Sequence, residues 1–463
     1  MGKRKSGWRQ STIWIATSDL PTTAAHPFYE RLNRILDKAG FDAHVETLGA
    51  PFYAVRMGRP SLAPGRYFRL LLVGYFEGLD SERAIAWRAA DSFALRRFLD
   101  LELPEAPPDH STISRTRRLI DVETHQAVFT WILKRLAEAG LVNGKTIGID
   151  ATTLEANAAL RSIVRRDSGE SYQEFLTQLA QASGIETPTH EDWARIDRKR
   201  KNKGSNEDWR HPQDPDAKIT KMKDGRTHLA HKAEDAVDLE TGAVVAVTVQ
   251  GADKGDTTTS IETLIEAAEK IETVVPDSER PKEVVADKGY HSNQALMDLE
   301  AVGVRSYISE LVRGRRKWKD NPEACHAVSR NRRRIRGACG KRLQRQRGER
   351  LERPFAHLYE TGRMRRVHLR GHQNILKRIL LRAGALNLGL LMRPVFGLDT
   401  PRGLQGRIAA LFVAVWSLVR SSDAFRARLR SPCRTAPSIV DLYTCRKVVR
   451  IRLALMTSFA TGC

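Results

Sequence analysis

The sequence predicts an α/β protein in which a helical N-terminal part precedes a mixed β-sheet flanked by helices. Three observations support this prediction. Apolar residues recur at helical spacing between residues 26 and 143, two β-branched runs at 146–150 and 283–287 each end in an aspartate, and a hairpin pattern at 228–250 separates those two runs. The order strand, hairpin, helix, strand, helix, strand indicates three antiparallel strands to which the later strands add in parallel.

The overall charge indicates a polyanionic partner. The 463 residues include 77 Lys and Arg against 55 Asp and Glu, which gives a net charge of +22. Nucleic acid and an anionic membrane face both fit such an excess. Since no apolar run reaches the ~18 residues needed to span a bilayer, we favour nucleic acid. The five cysteines show no CxxC pair or zinc-ligand spacing, so we interpret them as reduced thiols.

A polar helix is predicted after two prolines at 107–108. Asp109 or Ser111 can cap it, and its arginines (Arg115, Arg117 and Arg118) lie among short polar side chains. Ile113, Leu119 and Ile120 are expected to face inward. This composition is suited to a helix in a DNA major groove, although a solvated amphipathic helix would have the same pattern.

The two strands that end in Asp150 and Asp287 are the main candidates for chemistry. An isolated aspartate at a strand end often only caps the following turn, but two such strands can deliver both carboxylates to one metal site. Glu349 and Glu352 lie three residues apart near the end of a stretch dense in Lys and Arg. These two acids could equally pair with the neighbouring arginines. We expect the basic stretch at 311–348 not to pack on itself.

Taken together, three motifs resemble those of the DDE transposases of bacterial insertion sequences. They are GIDAT at 148–152, ADKGY at 286–290 and ERPFAHL at 352–358. The runs RRVHLRG at 365–371 and NLGLLMR at 387–393 extend the likeness, as does the stretch from GRP at 58–60 to PDHST at 108–112. The resemblance implies a ribonuclease-H-like catalytic domain preceded by an all-α domain that helps recognise DNA.

The resemblance also implies a domain plan. It divides the chain into a basic tail (1–25), a helical DNA-binding domain (26–143), a catalytic domain (144–395) and a basic helical tail (396–463). The catalytic domain would contain a polar insertion at 160–225, which we interpret as one helix and a flexible basic stretch. It would also contain the basic segment at 311–348.

By the same resemblance, Asp150, Asp287 and Glu352 would form the catalytic, metal-binding triad. It would hold two Mg²⁺ ions, with Mn²⁺ as a substitute, to cut DNA at the element ends and join the 3′-hydroxyl ends to target DNA. The predicted DNA-binding residues are Arg115, Arg117 and Arg118 of the polar helix, together with six that would position backbone phosphates: Lys288, His291, Arg353, Arg365, Arg366 and Arg370. The partners would be double-stranded DNA carrying terminal inverted repeats and target DNA. We expect a cytoplasmic, nucleoid-associated protein that is at least a homodimer on DNA.

Two features depart from the family pattern. Related transposases often place Tyr and Arg seven and four residues before the glutamate and Lys seven after it, whereas Arg345, Gly348 and Tyr359 occupy those positions around Glu352. In addition, Pro354 disfavours helical geometry at the preceding residue. Glu349 is therefore the reserve candidate for the third acid. The alternative functions are a catalytically inactive, transposase-derived DNA-binding protein and an RNA-processing nuclease with the same triad.

Overall fold

The computed structural model describes residues 26–396, with gaps at 55–60, 103, 201–203, 277–280, 312–317, 319–320 and 362–363. The predicted tails at 1–25 and 396–463 lie outside the described residues, apart from position 396. Within the described ranges, no helix combines the length and the apolar character needed to cross a membrane.

Seven helices make up the N-terminal part. They are α1 (Pro27–Lys38), α2 (Phe41–Gly49), α3 (Pro64–Phe76), α4 (Glu82–Asp91), α5 (Phe93–Phe98), α6 (His110–Leu119) and α7 (Val122–Glu138). The side chains of Ser81, Ser92, Asp109 and Asp121 each accept a hydrogen bond from a backbone N–H in the first turn of the next helix. Such caps fix where helices start, and of the two predicted caps of α6, Asp109 has this role.

The centre of the N-terminal part is a buried aromatic cluster around His125. Its Nε2 lies 3.1 Å from the Tyr67 hydroxyl and its Nδ1 lies 2.7 Å from the carbonyl oxygen of Asp121. Burial lowers the pKa of His125 to about 4, so the ring is neutral. It therefore donates from Nδ1 and accepts the Tyr67 hydroxyl, which joins α3 to the start of α7.

Of the eight strands in the described residues, six form the predicted mixed sheet. The eight strands are β1 (Thr146–Glu155), β2 (Val164–Arg165), β3 (Trp209–Arg210), β4 (Lys218–Lys221), β5 (Thr227–Asp238), β6 (Val244–Gly251), β7 (Glu283–Ala286) and β8 (Arg305–Ile308). Of these, β2 and β3 form a separate pair. β1 and β6 pair antiparallel with β5, whereas β7 pairs parallel with β1 and β8 with β7. The order β6-β5-β1-β7-β8 is that of a ribonuclease-H-like sheet, which confirms the predicted fold class. The sequence did not predict the short strand β4, which pairs antiparallel with the first four residues of β5.

Helices flank this sheet. They are α8 (Tyr172–Ala182), α9 (His190–Lys199), α10 (Asp256–Val274), α11 (Asn293–Ala301), α12 (Pro322–Arg336), α13 (Ala338–Arg350), α14 (Glu352–Phe355), a π-helical turn (Ala356–Thr361) and α15 (His372–Phe396). α10 packs on β5 and β6, and α13 contacts β7 and β8. α15 packs on β6 as well as on α3 and α7, so the last described helix ties the sheet to the N-terminal part. The predicted domain boundary at 143–144 stays a prediction.

Two buried asparagines each satisfy the backbone groups of one residue on an edge strand of the sheet, Val244 on β6 and Ile308 on β8. Asn387 of α15 accepts from the N–H of Val244 and donates to its carbonyl oxygen, at 3.0 and 2.8 Å. Asn331 of α12 makes the same pair of bonds to Ile308, at 3.1 and 2.8 Å. Since an edge strand otherwise presents unpaired groups, each asparagine completes the sheet where a helix covers it.

The polar insertion contains the predicted helix, a second helix and a small core of its own; of the predicted flexible basic stretch, residues 201–203 lie outside the described residues. Trp209 is buried, and Tyr172 and Phe175 pack edge-on against its ring. Two helices, α8 and α9, both begin with a capping box, and β2 pairs with β3. A few aromatic side chains are enough to order this otherwise charged segment.

The basic segment also folds, which corrects the expectation that its charge would keep it from packing. Two helices, α12 and α13, occupy most of it and bury a sparse apolar set: Ala324, Ala327, Val328 and Leu343. Some of its arginines have partners on and beside the sheet: Arg334 donates to the carbonyl oxygen of Ser306 on β8, and Arg332 forms a bidentate pair with Glu310 in the loop after β8. The long basic side chains thus surround a narrow apolar face.

Candidate active site

Asp150 and Asp287 are neighbours on adjacent parallel strands. Gly148 pairs with Val285 in the β1–β7 register, and each aspartate follows two residues later. Residues in register on parallel strands project from the same face of the sheet. Burial raises the pKa of Asp150 to about 6; the charge of Arg347 opposes this shift and that of Asp287 adds to it. The structure therefore brings two of the three predicted catalytic carboxylates together.

Arg347 forms an ion pair with Asp150. Its Nη2 lies 3.0 Å from Asp150 Oδ2, while the other carboxylate oxygen accepts from the N–H of Ala151 at 2.9 Å. Arg347 lies in α13, five residues before Glu352, and most of its side chain is buried. Sequence reasoning missed this residue because nothing distinguishes it from the other arginines of the basic segment.

A third carboxyl group, Asp235, also belongs to this patch. It pairs with Asp150 across the antiparallel β1–β5 ladder, so both side chains project from one face. Tyr359 of the π-helical turn donates to Asp235 Oδ1 at 2.9 Å, whereas Oδ2 has no hydrogen-bond partner among the described residues. Burial, with a contribution from the charge of Asp150, raises the pKa of Asp235 to about 8. The register of the predicted hairpin against β1 could have revealed it.

The segment that carries Glu352 lies over the same sheet face. A Cβ on Gly148 would lie 3.2 Å from Leu351 Cδ1, so the absence of a side chain permits this close approach. Further along β1, Arg365 Nη1 donates to Thr152 Oγ1 at 3.1 Å. Glu352 itself is exposed, as is Glu349. The structure thus places Glu352 directly after the residue that packs on β1.

The opposite face of β5 anchors the turn that follows Asp287. Glu234 accepts from the hydroxyl groups of Tyr290, at 2.8 Å, and of two α10 residues, Thr259 and Thr263. Burial raises the pKa of Glu234. In the turn itself, the N–H of Gly289 donates to Asp287 Oδ1 at 2.8 Å. These bonds fix the backbone that presents Asp287 at the end of β7.

The predicted DNA-binding residues differ in exposure. Six of them are exposed to solvent: Arg115, Arg118, Lys288, Arg365, Arg366 and Arg370. Arg117 instead pairs with Glu82 and only 11% of its side chain is exposed, and His291 is 3% exposed. Their positions do not support the predicted DNA contacts of these two residues. The side chain of Arg353 lies outside the described residues.

The apolar side of α6 also differs from the prediction. Ile113 and Ile120 are buried as expected, but Leu119 is 44% exposed. The helix ends at Leu119, so the chain turns there and Ile120 takes the inward position.

The two aspartates fit a hard divalent cation by donor type. Carboxylate oxygens are the ligands that Mg²⁺ and Mn²⁺ prefer, and a raised pKa marks a carboxylate that a nearby cation would stabilise. However, no group of three or more Asp, Glu, His or Cys side chains in the described part of the chain is arranged to hold a metal ion. Asp150 and Asp287 are therefore suited to bind a divalent cation, and the role of Glu352 as a third ligand stays a prediction.

Comparison with known proteins gives two matches to families. Residues 18–119 match a family described as a transposase domain (DUF772), and residues 182–388 match one described as a transposase DDE domain. The second match includes Asp287 and Glu352 and begins after Asp150. No curated protein matches the chain.

Two solved structures show a weak likeness. One is the Mos1 transposase paired-end complex with left transposon end, at 9% identity over 67% of this chain and 82% of that chain, with a TM-score of 0.19. The other is the Mos1 mariner paired end complex with Mn, at 9% identity over 72% and 86%, with a TM-score of 0.17. Scores this low do not establish a shared fold, which follows here from the strand order.

Proposed function

We propose that the chain, which matches a transposase domain family over residues 18–119 and a transposase DDE domain family over residues 182–388, cleaves DNA at the ends of an insertion sequence and joins the freed 3′-hydroxyl ends to target DNA. The observation that supports this proposal best is the proximity of Asp150, on β1, to Asp287, which directly follows the parallel strand β7. Two adjacent carboxylates repel one another unless a cation lies between them. Such a pair is therefore suited to metal-assisted phosphoryl transfer.

Asp150, Asp287 and Glu352 would hold two Mg²⁺ ions, or Mn²⁺ in their place, which when bound activate the attacking oxygen and neutralise charge on the leaving oxygen. Arg347 now neutralises part of the charge of Asp150, so a cation would compete with it for that carboxylate. The raised pKa of Asp235, about 8, keeps this neighbour largely protonated at neutral pH. It consequently adds little repulsion to the two aspartates.

We propose double-stranded DNA as the partner, both as terminal inverted repeats and as target. The exposed Lys288, Arg365 and Arg366 follow the carboxylates along the sheet, and Arg115 and Arg118 project from α6. Contacts to phosphate fix the register of DNA without reading its sequence. Because two element ends must be joined together, we expect at least two copies of the chain on DNA, in the cytoplasm with the nucleoid.

The test is strand cleavage of duplexes taken from the DNA on either side of the gene. Asp150→Asn and Asp287→Asn should each abolish Mg²⁺-dependent nicking while retaining affinity for the duplex measured in EDTA. Asp298→Asn, an aspartate on α11 that accepts from Gln294, is the matched control and should cleave as the wild type does. Nicking that survives in Asp150→Asn would remove this residue from the active site.

The second candidate function is a transposase-derived DNA-binding protein without catalysis. It is favoured by the exposure of Glu352 and by the lack of a three-ligand metal group among the described residues. This candidate predicts sequence-selective binding to the element ends, with no nicking in either Mg²⁺ or Mn²⁺. Nicking by the wild-type protein in either metal would exclude it.

A further inference from the structure

An open cleft lies between the polar insertion and the segment that follows the π-helical turn. Its volume is about 320 Å³. The polar residues that line it come from both sides: Asn157, Ser162, His211, Gln213, Arg366 and Arg370. Two exposed guanidinium groups, a hydroxyl and two amides thus converge on one space, which is the chemistry of an anion site.

His211 provides an independent indication of a ligand. It is 4% exposed, yet its Nδ1 has no hydrogen-bond partner in the part of the chain that the structure describes. Burial and the charge of Arg370 lower the pKa of His211, so the ring is neutral. A buried polar atom without a partner is rare in folded proteins, and a ligand in the cleft would supply one.

We propose that this cleft binds one phosphodiester of a DNA strand together with its flanking sugars. The assignment rests on the proposed function, because it takes DNA to be the substrate. Arg370 donates to the neutral carbonyl oxygen of Asn157 at 3.2 Å, so its charge remains available to a phosphate. Arg366 is partly compensated, since its Nε lies 3.7 Å from Glu155. The cleft is larger than a bare phosphate requires.

The position of the cleft sets a distance along the DNA. Arg366 forms a parallel bridge with Glu155, which lies on the same strand as Asp150 and five residues beyond it. Five residues of extended strand span ~17 Å. We take the DNA axis to run along β1; because successive phosphates rise by about 3.4 Å in duplex DNA, the contacted phosphodiester then lies roughly five nucleotides from the cleaved bond.

The experiment uses the full chain and the cleaved end duplex, with one methylphosphonate replacing one phosphate at each position in turn. Affinity is measured in EDTA for the wild type, Arg370→Gln and Arg366→Gln. We expect a roughly tenfold loss for the wild type at one position, about five nucleotides from the cleaved bond. Each arginine variant should bind the unmodified duplex more weakly than the wild type does. A methylphosphonate at the sensitive position should then reduce the affinity of the variant only a little further.

Arg161→Gln is the matched control, because Arg161 is exposed beside Ser162 but does not line the cleft. The affinity loss caused by Arg161→Gln should simply add to the loss caused by a methylphosphonate at any position. The second variant, Arg366→Gln, guards against a folding defect, since Arg370 also holds the carbonyl of Asn157. Additive losses at all positions for both cleft variants would overturn the assignment to DNA phosphate, and stronger coupling with an RNA duplex would overturn the choice of DNA. Both outcomes are separate from the proposed chemistry, which fails if the wild type does not nick the end duplex or if cleavage survives in Asp150→Asn.

Discussion

Asp235 lies directly across the β1–β5 ladder from Asp150, so a fully buried carboxyl group adjoins the carboxylate proposed to hold metal. The two differ in their surroundings. Arg347 forms an ion pair with Asp150, whereas the neutral hydroxyl of Tyr359 donates a hydrogen bond to Asp235. Burial without a compensating cation favours the protonated form of Asp235. The stability of the protein should therefore depend on pH through this residue.

We predict that Asp235→Asn flattens the pH dependence of stability between about pH 4 and pH 8. The pKa of Asp235 is raised from its ordinary value of 3.8 to about 8. In this window the folded state holds a proton that the unfolded state has lost, so the free energy of unfolding falls as pH rises. Asparagine cannot ionise and should remove up to about 1.4 kcal/mol per pH unit from this slope. Urea unfolding at pH 5 and pH 8.5, both in EDTA, measures it; parallel profiles would contradict the prediction.

Glu352 and Glu349 can be distinguished by amide substitution. We expect Glu352→Gln to abolish nicking and Glu349→Gln to retain at least half of it, because Glu352 follows the residue that packs over Gly148. Both glutamates are exposed, so neither change should alter the melting temperature much. Cleavage rates in Mg²⁺ provide the comparison. The reverse pattern would identify Glu349 as the third acid.

Gly148→Ala should destabilise the protein by about 1–3 kcal/mol and slow cleavage. The added methyl group would lie 2.7 Å from Leu239 Cδ2 and 3.2 Å from Leu351 Cδ1, which forces the segment carrying Glu352 away from the sheet. Gly348→Ala is the control for an added methyl group. It meets little but the tip of Glu352, 4.0 Å away, and lies within α13, so it should stabilise by about 0.5–1 kcal/mol. Equal shifts in unfolding free energy would show that the contact at Gly148 is unimportant.

Arg118 and Arg117 should behave in opposite ways. Arg118 is exposed, so Arg118→Gln should weaken binding to the end duplex and reduce the slope of log affinity against log salt by about one. Arg117 is turned inward to Glu82, so Arg117→Gln should leave that slope unchanged and cost about 1–3 kcal/mol of stability. Salt titrations and denaturation curves separate the two effects. A reduced salt slope for Arg117→Gln would place this residue on the DNA.

The sequence was sufficient for those elements whose pattern is local. The hairpin predicted at 228–250 matches β5 and β6, which begin and end within one residue of the predicted bounds. The spacing of apolar residues and the residue types in the turn are enough to predict such elements. By contrast, α12 and α13 were not expected, because sparse apolar positions among many arginines give little helical signal until the sheet supplies a surface to cover.

The site divides in the same way. Asp150 and Asp287 were predicted because each ends an apolar run, a signal contained within a few residues. Asp235 and Arg347 were missed because their roles arise from strand register and from one contact across 197 residues. Likewise, the inward positions of Arg117 and His291 follow from helix packing, which residue type alone does not determine.

The asparagines at Val244 and Ile308 also bear on how copies of this protein can meet. With those backbone groups already bonded to Asn387 and Asn331, an incoming chain cannot extend the sheet at these positions by strand addition. Protein copies that gather on DNA must therefore associate through helical or loop surfaces there.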